Sequence, residues 1–290
     1  MNSPVHILHF TLACALSASA QEARPSSPAS DTRPSVLHST VFKWEDLMLN
    51  PAATAMGRRW DVTNLPTPAF EIFESHITEL LPGRESHPPH QHAREECIVL
   101  KEGTLDVSIN GTVRRVGAGS LYFFASNDLH NVKNVGDSPA TYLVFNFSTA
   151  ATRGVPATPA AESAAPGKLA SGVFDWEKLT ARPTDNGQRR DIIDSPTVTC
   201  ANFECHVTTL NTGESPHIPH RHPDEEMIVV KDGELEITLN GDARRVGAGS
   251  IIFISSNDGH GLRNPGPATS TYYDFHFVTE KTPAPASAGK

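Results

Sequence analysis

The chain has 290 residues, 38% hydrophobic and 20% charged, and its 24 Lys and Arg against 33 Asp and Glu leave a formal charge of −9. With no long basic run, nucleic acid is not an expected partner. No apolar run is long enough to span a membrane as a helix. The length predicts about two domains.

Residues 1–20 read as a signal peptide. Ile7–Leu16 is a short apolar run, and Ala18-Ser19-Ala20 before Gln21 suits signal peptidase. A basic start is missing, since residues 2–10 contain no Lys or Arg. The expected location is secreted or periplasmic. Residues 21–36, rich in Ala, Ser and Pro, are expected to be a disordered stalk. Behind the leader stand Cys97, Cys200 and Cys205. Cys200 and Cys205 have opposite strand parity and should not pair, so buried free thiols are expected.

Val41-Phe-Lys-Trp44-Glu-Asp-Leu47 recurs as Val173-Phe-Asp-Trp176-Glu-Lys-Leu179. The two tryptophans are expected to anchor a leading arm. Arg58-Arg59 recurs as Arg189-Arg190 and reads as a solvated basic pair. Phe70 to Leu80 alternates as a strand does and carries His76, repeated at His206. Phe73 and Ile77 lie on the opposite face, and alternation alone does not say which face is interior. If the histidine face is interior, His76 and His206 are pocket-lining acid/base candidates.

Then comes His87-Pro-Pro-His90-Gln-His92-Ala-Arg-Glu95-Glu96, running to Gly103. On one strand His90, His92 and Glu96 would share a face. Glu95 has the opposite parity and is expected to point outward, as is Glu225. His87 and His217 lie in the preceding loop, as rim or outer-shell candidates. Asn110-Gly111 marks a hairpin between strands over 104–109 and 112–116. Leu121–Phe124 leads to His130 and Asn134, and a last strand covers Thr141–Phe147. Residues 149–172 read as an interdomain linker, and 279–290 as a disordered tail.

The second copy follows at a constant offset of 130: His217, His220, His222, Glu226, Gly233, His260 and Asn264. Two copies of this length indicate duplicated domains, 37–148 and 173–278. Short strands between turn residues, with no long helical period, indicate an all-β fold. Each set of three histidines and one glutamate is a candidate ligand set for one divalent first-row metal per domain. The sets are His90, His92, Glu96 and His130, and His220, His222, Glu226 and His260. Four such ligands leave adjacent open positions on octahedral Fe, Mn, Ni or Cu, whereas tetrahedral Zn keeps none.

These motifs resemble the cupin superfamily, specifically a bicupin. Gly83, His90, His92, Glu96 and Gly103 match the first family motif, with a spacer after Gly83 one residue longer than usual. Gly119, His130 and Asn134 match the second, as do Gly249, His260 and Asn264. Ala125 and Asn127, like Ser255 and Asn257, replace the family's Pro and Gly, and Asn tolerates the left-handed turn needed there. The resemblance implies two tandem jelly-roll barrels, each holding a small-molecule pocket. It also implies a metal-dependent oxidoreductase, foremost a dioxygenase similar to the quercetinase-like bicupins. The alternatives are a non-redox Mn-type decarboxylase, isomerase or aminohydrolase, and a non-catalytic binding module. Gln91 and Arg221 stand where oxalate decarboxylases carry the Trp of His-Trp-His. No catalytic residue is singled out. Asn146 and His276 hold equivalent positions, so the two pockets are expected to have diverged. Such a chain can work as an internal pseudo-dimer or assemble further as a homo-oligomer.

Overall fold

The computed structural model describes residues 36–51, 55–153 and 166–285. The expected signal peptide, the stalk up to residue 35, residues 154–165 of the linker and residues 286–290 of the tail lie outside the described residues. The first copy contains β1 (Thr40–Phe42), β2 (Gly57–Leu65), β3 (Ile72–Leu80), β4 (Glu95–Glu102), β5 (Thr104–Ile109), β6 (Thr112–Gly117), β7 (Leu121–Phe124), β8 (His130–Asn134) and β9 (Ala140–Ser148). The second contains β10 (Gly172–Phe174), β11 (Arg182–Thr184), β12 (Gly187–Ser195), β13 (Asn202–Leu210), β14 (Glu225–Asp232), β15 (Glu234–Leu239), β16 (Asp242–Gly247), β17 (Ile251–Ile254), β18 (His260–Arg263) and β19 (Ser270–Val278). Helical structure among the described residues is confined to 3-10 turns at Trp44–Asp46 and Trp176–Lys178. The all-β expectation holds.

Each copy pairs a large sheet with a small one to make a jelly-roll barrel. In the first, β10-β7-β4-β9-β3-β2 lies over β6-β5-β8; in the second, β1-β17-β14-β19-β13-β12-β11 lies over β16-β15-β18. Leu80, Ile98, Leu105 and Val107 fill the first barrel, and Leu210, Ile228, Leu235 and Ile237 the second. The remaining core lies between the barrels, where the outer faces of the large sheets meet. Phe73 packs on Phe253 at 5.4 Å, Phe145 on Phe275 at 4.9 Å and Phe147 on Phe203 at 5.7 Å between ring centroids. Both faces of β9 are therefore covered, and it is buried throughout. Such a strand reads as a continuous apolar run rather than an alternation.

The interface also settles the orientation of β3. Phe73 and Ile77 join the core between the barrels, so Glu74, His76, Thr78 and Leu80 face the first barrel's interior. The same parity on β4 sends Glu96, Ile98 and Leu100 inward and Glu95, Cys97 and Val99 to the interface. All three cysteines of the described residues are buried and free.

The leading arms cross over. β1 pairs with β17 of the second barrel and β10 with β7 of the first. The Trp44 amide donates to Ser250 Oγ and that of Trp176 to Ser120 Oγ, both at 3.1 Å. Gly119 and Gly249 have φ near +90°, and a Cβ at either would lie under 3 Å from the Trp176 or Trp44 ring. Glycine is required there for backbone conformation and for close approach. Asn110 and Asn240 have φ 48° ahead of their glycines, and Asn127 and Asn257 have φ 67° and 63°, as the hairpin and histidine turns demand.

Two expectations need correction. Glu95 and Glu225 leave the pocket as parity requires, yet both are fully buried. Glu95 accepts from Thr197 Oγ1 at 2.5 Å and from the Val198 and Thr199 amides at 3.0 and 3.1 Å. Glu225 accepts from Thr67 Oγ1 at 2.7 Å and the Ala69 amide at 3.1 Å. A duplicated chain makes the outside of one barrel the inside of a joint. For the same reason the expected linker and tail do not begin as free chain. Thr149, Thr152 and Thr279 are buried, and Thr152 Oγ1 lies 3.3 Å from Thr199 Oγ1.

Candidate metal centres

The ligand set of the first barrel is assembled from two chain segments. His90 and His92 do not lie on the strand of Glu96, as the spacing suggested, but in the loop before β4. The consecutive Pro88 and Pro89 lack backbone donors and cannot extend a ladder. The loop is pinned instead by an isolated bridge: His90 N–H donates to His130 O at 3.1 Å, and His130 N–H to His90 O at 2.9 Å. An identical bridge joins His220 and His260.

Ligand atoms of His90, His92 and His130 lie within 4.8 Å of one another, as do those of His220, His222 and His260, so either group could hold a metal ion. The carboxylate closes each set. Glu96 Oε2 is 3.2 Å from His92 Nε2 and 3.9 Å from His130 Nε2; Glu226 Oε2 is 3.0 Å from His222 Nε2 and 3.1 Å from His260 Nε2.

The chemistry of these side chains fits a cation. His90, His92 and His130 direct Nδ1–H at the carbonyls of His130, Arg94 and Asp128, at 3.2, 2.7 and 2.8 Å. His222 and His260 do the same with Asp224 and Asp258. Each such bond holds its ring by Nδ1 and aims Nε2 at the cluster, the atom left for a metal. The Nε2 atoms of His130 and His260 are buried with no hydrogen-bond partner. A buried nitrogen lone pair without a partner is costly unless a cation takes it. Burial, reinforced by the neighbouring imidazoles, lowers His90 and His220 to about 4, and burial also lowers His130. Burial would raise Glu96, but the hydrogen bond from His92 and the charge of His130 bring it below its ordinary value. Neutral imidazoles and an ionised carboxylate are the ligand forms.

The first centre opens into a cavity of about 580 Å³. Ile98, Phe124, Val132 and Val144 form its apolar wall, and Arg94, His87 and His76 also line it. Phe124 stacks on His130 at 4.2 Å. His87 is exposed and places its ring 3.9 Å from that of His90; His217 stands likewise 4.2 Å from His220. Both are rim residues. His76 points inward, with Nδ1 2.8 Å from Glu74 Oε1, and Asn146 Nδ2 donates to the other Glu74 oxygen at 2.8 Å. Arg59 reaches the same carboxylate at 3.0 Å, and Arg58 is held by Glu79, so this basic pair is engaged by acids rather than merely solvated. Among the described residues no carboxylate lies within ion-pair distance of Arg94.

The second pocket differs in charge. Arg94, Val144 and Asn146 are replaced by Asp224, Asp274 and His276. Asp224 Oδ1 accepts from His222 Nδ1 at 3.0 Å and its Oδ2 from His276 Nδ1 at 2.7 Å. Burial opposes the charging of His222 and His276, but these carboxylates outweigh it and raise the two to about 9 and about 11. His206 is buried, with Nδ1 2.8 Å from Glu204 and Nε2 3.6 Å from Asp274 Oδ2. The sequence reading noted the exchange at His276 but missed Glu74, Glu204, Asp224 and Asp274. Comparing the two copies position by position just before β14 and along β19 would have exposed the two aspartates.

Comparison with known proteins agrees with this architecture. The family model of the cupin domain matches residues 76–146 and 206–276. A germin-like protein, 5-1, of Oryza sativa subsp. japonica is 34% identical over 79 residues, which cover 25% of this chain and 36% of that protein. The structure of oxalate decarboxylase from Bacillus subtilis at pH 4.6 superposes with a TM-score of 0.61 at 18% identity, covering 86% of this chain and 79% of that one. The Lactobacillus farciminis oxalate decarboxylase formate complex gives 0.62 at 15%, covering 85% and 90%. At such identities the likeness is one of fold. With its motifs, paired barrels and duplicated family match together, the chain belongs to the cupin superfamily and is a bicupin.

Proposed function

We propose that this bicupin is a metal-dependent enzyme acting on a small organic acid, in the non-redox Mn-type class of decarboxylases and isomerases. The observation that carries the reading is the first barrel's cavity, where the unpartnered Nε2 of His130 lies in a pocket also lined by Arg94, which has no carboxylate within ion-pair distance among the described residues. The named oxalate decarboxylases among the similar structures favour this class over the dioxygenase first expected from sequence.

His90, His92, Glu96 and His130 would hold one ion, and His220, His222, Glu226 and His260 another. Such an ion supplies Lewis acidity and a binding position for a substrate oxygen. The chain's own groups do the rest. Arg94 pairs with a substrate carboxylate, and the apolar wall excludes water around the bond that breaks. His76, oriented through Nδ1 by Glu74, presents Nε2 as the acid or base that delivers or removes a proton. Export to the periplasm or outside the cell belongs to the same proposal and rests on residues 1–20.

Elemental analysis of unchelated protein is the test of the centres. At least one equivalent of a first-row metal per barrel is expected, with His92→Ala losing the first barrel's equivalent and His222→Ala emptying the second centre. Unchanged metal in His92→Ala refutes the first centre. Incubation with small keto acids and dicarboxylates should release CO₂ or an isomer without O₂ uptake. Stoichiometric O₂ uptake with substrate loss would restore the dioxygenase.

A further inference from the structure

We propose that the second barrel binds a second cation beside its three-histidine centre, held by Glu226, Asp274 and His276. The inference rests on the one-ion-per-barrel reading above and adds an ion to one barrel only.

The strand pairing builds the site. His276 on β19 is the direct cross-strand partner of Glu226 on β14, and Asp274 pairs with Ile228 two residues along. All three side chains therefore point into the barrel. One ligand atom from each lies within 4.8 Å of the other two. Asp274 is only 7% exposed, and its Oδ1 has no hydrogen-bond donor. His276 Nε2 sits 3.4 Å from that oxygen, at ion-pair distance but outside hydrogen-bond geometry, so a metal ion would replace the imidazolium proton between the two. A buried carboxylate oxygen left without a donor is the costly arrangement that a cation relieves.

The surroundings support His276 as a ligand through Nε2. Its Nδ1 is held by Asp224 Oδ2 at 2.7 Å, the carboxylate–histidine arrangement that orients a metal-binding imidazole. His206 Nε2 lies 3.6 Å from Asp274 Oδ2, so the far oxygen of Asp274 is already supported. Glu226, against His222 and His260 on one side, would bridge the two ions with its carboxylate. Paired catalytic metals stand about 3.5–4 Å apart. One nitrogen and two carboxylate donors suit a divalent ion such as Mn, Fe or Zn.

The first barrel is the internal control. Its equivalents of Asp274, His276 and Asp224 are Val144, Asn146 and Arg94. Asn146 donates to Glu74, and a valine and an arginine offer no ligand. The first barrel keeps one carboxylate, Glu96, against its centre, while the second gathers Glu226, Asp274 and Asp224.

The test is Mn²⁺ titration of the chelator-stripped full chain, counting bound metal by equilibrium dialysis. Wild type should bind three equivalents. The double variant Asp274→Val/His276→Asn installs the residues that the first barrel carries at these positions and should bind two. Asp274→Asn, isosteric with the native residue, should also bind two. Low-temperature EPR should show an exchange-coupled Mn pair in wild type and only isolated ions in both variants. Two equivalents in wild type and variants alike, or three ions with no coupling, would overturn the second cation and leave one ion per barrel standing. Fewer than two in wild type would instead overturn the reading on which it rests.

Discussion

The buried carboxylate joining the barrels at Glu225 makes a sharp prediction about pH. Glu225 is fully buried and receives two hydrogen bonds from the first barrel, from Thr67 Oγ1 and the Ala69 amide. Its counterpart Glu95 receives a further one from the Val198 amide, whose equivalent is Pro68 and has no N–H to give. Burial accordingly raises the Glu225 carboxyl from 4.5 to about 7. The folded chain keeps this proton up to about pH 7, whereas the unfolded chain releases it near 4.5. Between those values the folded state binds more protons, so this group's contribution falls as pH rises and levels off above 7. The span corresponds to roughly 3 kcal/mol. Urea denaturation at pH 5, 6, 7 and 8 of wild type and Glu225→Gln measures it. The titrating histidines occur in both proteins and cancel in the difference. The wild-type advantage should shrink by roughly 2–3 kcal/mol from pH 5 to pH 8. Pro68→Ala, which restores an amide donor, should make the wild-type slope shallower. Parallel stability curves for wild type and Glu225→Gln would refute the reasoning.

Three further outcomes follow from the packing. Trp176 lies over Gly119 with Arg190 and Lys231 each 4.6 Å from its ring, so Trp176→Ala should cost roughly 2–4 kcal/mol; calorimetry should show a melting point lower by about 5–10 °C, and no change would refute arm docking. Asn134 is fully buried, donates to Leu80 O at 2.7 Å and Ser138 O at 2.9 Å, and accepts from the Gly136 amide at 2.9 Å. Asn134→Ala leaves these groups unpaired and should cost roughly 2–4 kcal/mol in denaturant titration. Burial pushes the thiols of Cys97, Cys200 and Cys205 well up, so a thiol reagent should label none of the three until urea unfolds the chain; native-state labelling mapped by peptide mass to any of these three, rather than to Cys14 of the leader, would contradict their burial.

Local chemistry made much of this protein legible in its sequence. The repeat at constant offset announced two like domains. Asn110-Gly111 and Asn127 announced turns, because few residues other than Asn and Gly accept positive φ. The histidines and glutamates announced the centres by residue type and recurrence. What the sequence left open was set by contacts distant along the chain. His90 and His92 were read as strand neighbours of Glu96, because spacing cannot show that a loop is held by its bridge to His130. The interior face of β3 was undecided between His76 and Phe73, since the barrel interior and the joint between barrels both bury side chains. Glu95 looked solvent-facing because parity tells which way a side chain leaves the pocket, not what awaits it outside. The exchange of arms and the meeting of Asp274 with Glu226 were decided by tertiary structure alone: each depends on strands far apart in sequence that become neighbours only when the barrels close.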